Sequence, residues 1–258
     1  MTAILKLKDA LGTTRFMRPW VTGHFEFLSR QISYSQKNLD RGYTDDDHLR
    51  AAADWLARAQ DEATDGGVTG RYRLSTGWTS SYPETTGYII PTFLALSARL
   101  DEPDFKARAE RALEFLLGLQ LESGAFPGGE VHENLEKPSP FNTAQIINGL
   151  VEWHAATGCE RTLKSACRAA DWLLSVQDED GAFRKHFYNN KPSTYSAHLS
   201  CWIAQLGQHL NEPRYLAAAS KHMDWVMSQF VPETGWFEGC GFDDKQHADR
   251  TGYTHTIA

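Results

Sequence analysis

Apolar side chains recur at helical intervals in four similar blocks, AAADWLARAQ, RALEFLLGLQ, RAADWLLSVQ and KHMDWVMSQF, anchored at Trp55, Phe115, Trp172 and Trp225. In the third block Ala169, Trp172, Leu173 and Val176 fall on one helix face, so each block predicts an amphipathic helix with one buried stripe. Each block runs into a turn containing glycine: Gly66-Gly67, Gly124, Gly181 and Gly235. Glycine accepts the positive φ that ends a helix. A second, more apolar helix is predicted after each turn, over 84–100, 142–157 and 195–210, with a fourth opening at Tyr253. The outer, amphipathic set is predicted near 45–60, 105–120, 162–177 and 214–229. Thr44 caps the first of these, with Asp45, Asp46 and Asp47 at its positive end. Pro91 falls inside the first apolar helix, where it removes one backbone donor and is expected to kink it.

Two helices per unit cannot bury both faces alone, so the units must stack with the apolar helices inside. The expected fold is all-α, an (α/α) toroid of helical hairpins repeating at about 57 residues. It is read as a single domain over 1–258, with an N-terminal helical segment in 1–43 and repeats from 44, 104, 161 and 214. The repeats are fewer than the roughly six hairpins of a closed ring. That shortfall leaves a missing C-terminal segment or a homo-oligomer as expectations. The stripe Leu199, Trp202, Ile203 and Leu206 is the expected open seam, covered by residues 16–38 or by a second chain.

The strings Gln120 to Phe126 and Gln177 to Phe183 fit Gln-x-x-x-Gly-x-aromatic, which resembles the repeat motif of the α/α-toroid proteins that include squalene cyclases and protein prenyltransferases. Ser81 to Tyr88, taken with Tyr253 to Ile257, resembles toroids encoded among bacterial exopolysaccharide-biosynthesis genes. The resemblance implies the fold and an association with polysaccharide assembly. An Asp-x-Asp-Asp string is missing, and Asp243-Asp244-Lys245-Gln246-His247 is not a diphosphate-magnesium motif, so terpene or prenyl chemistry ranks third.

The chain has 26 Lys and Arg against 33 Asp and Glu, a net charge of −7, which argues against a nucleic-acid partner. Thr85 to Ala98 is too short to span a bilayer, and Met1 to Phe16 lacks the apolar run of a secretory signal, so a cytoplasmic location is expected. The four cysteines have no metal-ligand spacing. They are read as buried thiols, and no metal or cofactor is expected.

In a ring of hairpins, the amino ends of the inner helices converge on one mouth, and the long loops entering them are expected to carry function. Candidate proton-transfer groups there are Tyr195, His198, Tyr253, His255 and Glu84. Candidate substrate-binding groups are Trp78, Tyr82, Asn142, Gln145, Arg184, His186, Trp236 and Asp244. Aromatic faces with carboxylates and amides suit an oligosaccharide or polysaccharide, with Arg184 or Asn142 neutralising the carboxylate of an acidic one. Bland roles stand beside these: Glu84 and Asn142 as helix caps, Gln145 and His198 as core polar groups, Tyr82 and Tyr195 as wall aromatics, Arg184 as a surface ion pair. Related toroids include uronate lyases and epimerases, for which Tyr195 or Tyr253 with His198 or His255 would move the proton. Hydrolysis would instead need a carboxylate pair such as Glu84 and Asp244. A non-catalytic glycan-binding or scaffold module of a polysaccharide-assembly complex is the alternative.

Overall fold

A computed structural model describes residues 42–73, 76–131 and 135–241. Among these, seven α-helices appear in the predicted order: α1 Asp45–Asp61, α2 Pro83–Leu100, α3 Pro103–Leu119, α4 Pro140–Thr157, α5 Glu160–Val176, α6 His198–Leu210 and α7 Pro213–Ser228. Two short antiparallel hairpins lie in the loops, β1 Tyr72–Arg73 with β2 Gly77–Trp78, and β3 Phe230–Val231 with β4 Trp236–Phe237. The third inner helix starts three residues later than predicted, because Thr194–Ala197 winds as a 3₁₀ turn first.

The inner helices α2, α4 and α6 form a row, each packed on the next, with α3, α5 and α7 behind them. The tight hairpin is inner helix to following outer helix. Asp101, Gly158 and Asn211 each take the left-handed conformation, at φ 57°, 72° and 53°, and reverse the chain within two residues. Pro103 and Pro213 then open α3 and α7 with φ already set. At the other end, Thr44 and Asp47 form a reciprocal capping box on α1: Thr44 Oγ1 accepts from the Asp47 amide and the Asp47 carboxylate accepts from the Thr44 amide.

The repeated glutamine and glycine have a structural purpose that periodicity alone does not reveal. Gln60 Nε2 donates to Gly66 O and Arg108 O, at 3.0 and 2.9 Å. Gln120 Nε2 donates to Gly124 O and Ser165 O, both at 2.9 Å. Gln177 Nε2 donates to Gly181 O and Ala218 O, at 3.1 and 3.0 Å. One amide per unit therefore ties the loop to the next outer helix. Gly124 and Gly181 stand at φ 96° and 94°, and a Cβ there would lie 2.4 and 2.2 Å from the carbonyl oxygens of Arg168 and Lys221. Glu and Ala at Gln120 should each lower stability, Gln120→Ala by about 2 kcal/mol, since two carbonyls lose their donors at once. Chemical denaturation with an unchanged slope would check this.

A threonine or serine at each inner-helix start fixes the loop from the other side. Thr86 Oγ1 accepts from the Val68 amide and Thr143 Oγ1 from the Phe126 amide, both at 2.9 Å. In the third unit Ser196 faces His222, which is fully buried between Gly181 O, 3.0 Å from Nδ1, and Ser196 Oγ, 3.1 Å from Nε2. Burial holds the His222 pKa below its ordinary 6.5, despite opposing bonds from the Gly181 and Ser196 backbone. The unfolded chain therefore takes the proton more readily, and the stability His222 contributes is present above pH 6.5 and lost as pH falls through its folded pKa. His222→Gln should be less stable than the parent at neutral pH yet show a shallower acid slope, measurable by melting from pH 5 to 8.

Pro91 sits inside α2, which runs on past it to Leu100. Two expectations need correction. Leu199, Ile203 and Leu206 are already fully buried, because α6 turns this stripe toward α4 and α7; its outward face is Cys201, Gln208 and His209. Only Cys240 of the four cysteines is buried, and Cys201 is exposed on that outward face. Residues 16–38, expected to cover the seam, lie outside the described residues. Trp172 and Trp225 pack inside as expected, whereas Trp55 is 44% exposed.

Candidate functional site

The amino ends of α2 and α4 and the 3₁₀ turn before α6 open on one cleft of about 930 Å³. Tyr82, Glu84 and Thr85 come from the first, Ser139, Phe141 and Asn142 from the second, and Tyr195 from the third. Loops complete the wall with Arg71, Lys137 and His186 to Asn190.

Local sequence explains why Glu84 sits here. Pro83 occupies the first helical position, so Tyr82 is left extended, at φ −123°, and turns its ring out of the helix. The Tyr82 amide donates to Val68 O at 3.0 Å, which anchors the entry to α2. Glu84 makes no cap bond; its carboxyl is enclosed instead, and burial pushes its pKa up to about 7, against a smaller opposing effect of the Tyr82 hydroxyl that donates to it. Burial, followed by the neighbouring Glu84 charge, raises the Tyr82 phenol to about 12. Tyr88 lies four residues on, on the same helix face, and its phenol is also pushed up to about 12, by burial first and then by Glu84, Tyr195 and Tyr82. One carboxyl that holds its proton near neutrality therefore accepts from the Tyr82 hydroxyl, with the 38% exposed Tyr88 near it on the same helix but outside the cleft lining.

Asn142 is buried, and its Oδ1 accepts from Ser139 Oγ at 3.0 Å. Its Nδ2 has no well-aligned acceptor and lies against the Tyr82 hydroxyl. The Phe141 and Tyr195 rings meet at 5.1 Å. On the opposite wall Arg71 pairs with buried Glu130 at 2.8 Å, and Lys137 is exposed. His186 is held at φ 64°, its ring 5.8 Å from Trp172, and burial, then Lys185, lowers its pKa, so the imidazole is neutral at pH 7.

Of the residues singled out from the sequence, Glu84, Tyr82, Asn142, Tyr195 and His186 share this cleft. Gln145 does not: it points sideways from α4, where its Oε1 accepts from Trp202 Nε1 at 2.8 Å and joins α4 to α6. Arg184 is held by Asp178 and Asp180, at 2.8 and 2.6 Å, beside the motif turn. Trp78 stacks with Trp55 and Tyr72 in a separate aromatic cluster, and Trp236 lines a second hollow with Trp225 and Phe237. His198 is the half-buried first residue of α6 and does not line the cleft. Asp244, Tyr253 and His255 lie outside the described residues. Arg71, Lys137 and Tyr88 were not singled out, although the four-residue spacing of Glu84 and Tyr88 signals a shared face. Among the described residues no three metal-ligating side chains cluster, and no helix is long and apolar enough to cross a membrane.

Inner and outer helices in register, with a polar cleft at the inner amino ends, define an α/α toroid scaffold. The chain belongs to the family of β-L-arabinofuranosidase GH127 catalytic domains, whose pattern matches residues 45–257. It is also 27% identical over 221 residues to a squalene–hopene cyclase of Zymomonas mobilis, across 80% of this chain and 31% of that one. Among solved structures it resembles the unsaturated glucuronyl hydrolase of Bacillus sp. GL1, with a TM-score of 0.59 and 17% identity, over 72% of this chain and 58% of that one. A Salmonella enterica serovar Paratyphi A protein described as a possible GH105 member gives a TM-score of 0.63 and 16% identity, over 84% and 61%. The chain thus spans about a third of the cyclase's length and about three-fifths of the two solved structures. At these identities the structural likeness speaks for the fold.

Proposed function

We propose that the chain is a carbohydrate-active protein of glycosidase type, with Glu84 as the general acid of the cleft. The observation that carries this reading is the enclosed Glu84 carboxyl, protonated up to about pH 7 at the floor of an aromatic-walled cleft. Protonation of a departing glycosidic oxygen needs a carboxyl of this kind, and a simple helix cap does not. The family match supports hydrolysis over elimination or epimerisation. The second carboxylate that hydrolysis requires is assigned to Asp244, the partner chosen from the sequence. Tyr253 and His255 would move the proton in the elimination reading, and Tyr82, Tyr195 and Phe141 supply ring faces to stack on the sugar.

An acidic sugar is the proposed substrate class, because the exposed Lys137 lines a cleft whose Glu84 is largely uncharged below pH 7, while Arg71 beside it is already paired with Glu130. Polysaccharide turnover around exopolysaccharide synthesis is where such a glycan would be met. The test is incubation with oligosaccharides that end in arabinofuranose or a uronic acid and with ones that carry internal 4-linked uronates, read by chromatography of released sugar and by ultraviolet absorbance. Release by the parent and none by Glu84→Gln is expected. Absorbance of an unsaturated uronate would establish elimination instead, and binding with no product would establish the scaffold reading.

A further inference from the structure

At the end of the inner helices away from Glu84, two imidazoles meet across the α4–α6 contact. His154 lies in the last turn of α4 and His209 in the last turn of α6. Nδ1 of His154 is 2.8 Å from Nε2 of His209, and the rings stand perpendicular. Neither residue lines the cleft. The Glu160 carboxylate lies 3.9 Å from the other nitrogen of His154.

We infer that this pair is a two-histidine site for a divalent transition-metal ion of the zinc or nickel class, tying α4 to α6. In this hydrogen bond one ring nitrogen presents an N–H and the other a lone pair, so the two nitrogens face each other across one short gap. An ion about 2.0–2.1 Å from each nitrogen holds them about 2.9–3.4 Å apart for bond angles between roughly 90° and 110°. Binding opens the observed 2.8 Å by a few tenths of an ångström and turns the two rings so that their lone pairs converge on the ion.

The protons balance without an added base. Whichever imidazole donates in the pair moves that proton to its outer nitrogen, which frees both facing lone pairs for the ion. For His154 the outer nitrogen is Nε2, 3.9 Å from the exposed Glu160 carboxylate, which closes to hydrogen-bond distance by a side-chain rotation; a carboxylate behind a metal-bound imidazole fixes the tautomer and raises ligand basicity. The surroundings favour a cation as well, since both histidines sit where their helices present unpaired carbonyls and the negative end of the helix dipole. His209 is exposed, so water reaches the site and fills the remaining coordination positions.

The test is a titration of the full chain with zinc or nickel chloride, followed by calorimetry and thermal melting. One ion per chain and a melting temperature raised by several degrees at about 100 µM metal, reversed by EDTA, are expected. His209→Asn and His154→Ala should each abolish the rise, while Glu160→Gln should weaken binding about tenfold and keep the stoichiometry. With copper(II), the electron spin resonance signal should carry two imidazole nitrogens in the parent and one in His209→Asn. No metal-induced rise, a rise retained in either histidine variant, or a single-nitrogen signal in the parent would overturn the site. The readout is binding and melting, so it stands apart from any glycan turnover.

Discussion

Glu84→Gln is expected to lower turnover by roughly 10²- to 10⁴-fold on a glycoside with a poor leaving group, the range that general-acid assistance supplies. The amide keeps the side chain's shape and can still accept from Tyr82, so folding should survive. A glycoside whose leaving group departs unprotonated, such as a dinitrophenyl one, should recover most of the lost rate. In the parent, activity should fall as pH rises through about 7, because only the protonated carboxyl can donate.

Stability carries an independent signature of the same group. The folded pKa of about 7 lies above the ordinary glutamate value of 4.5, so the folded state binds the proton more tightly than the unfolded one. The stability this provides is fully present below pH 4.5 and is lost as pH rises through about 7. Glu84→Gln removes that loss, and above pH 7 the variant should be more stable than the parent by about 2 kcal/mol, discounted for partial exposure. Melting curves across pH 4 to 9 would show the two crossing, and parallel curves would remove Glu84 from its assigned state.

Gly149→Ala is expected to be the most damaging small substitution in the scaffold. A Cβ on Gly149 would lie 2.2 Å from Gly87 O and 3.2 Å from Ile90 Cδ1, and one on Gly87 would lie 2.8 Å from Ile146 Cα. The closest of these clashes is with backbone, so neither helix can yield by turning a side chain. Pro91 explains why the contact exists: it stands four residues after Gly87 and has no N–H, so the Gly87 carbonyl lacks its helical donor and Gly149 Cα packs against it. Separating α2 from α4 should cost about 3 kcal/mol and lower the melting temperature by roughly 6–12 °C. Gly118→Ala is the matched control. It sits in α3 with nothing within 4 Å, and it should gain about 0.5–1 kcal/mol from helix propensity alone.

The helices were legible because their apolar residues keep one period over long stretches, and the residues that converge on the cleft were legible because inner-helix amino ends must meet in a stacked row. Glu84, Asn142 and Tyr195 follow from that geometry alone. Gln145 was misplaced because Trp202 of α6 claims its Oε1, a contact between helices that no local period announces. Arg184 was misplaced although Asp178 and Asp180, within six residues, could have claimed it. Trp78 depended on a cross-strand pairing with Tyr72, which no local period announces. The repeated Gln and Gly stood out as a motif, yet their reason, two carbonyls on two different elements, appears only once the units are stacked.

The central claim, that the Glu84 cleft hydrolyses a glycosidic bond, is tested most directly by incubating the chain with oligosaccharides ending in a uronic acid or arabinofuranose in ¹⁸O-labelled water. Mass spectrometry of the products should show one labelled oxygen at each newly formed reducing end, absent with Glu84→Gln. An unlabelled product carrying an unsaturated uronate, or the same labelled product from Glu84→Gln, would contradict it.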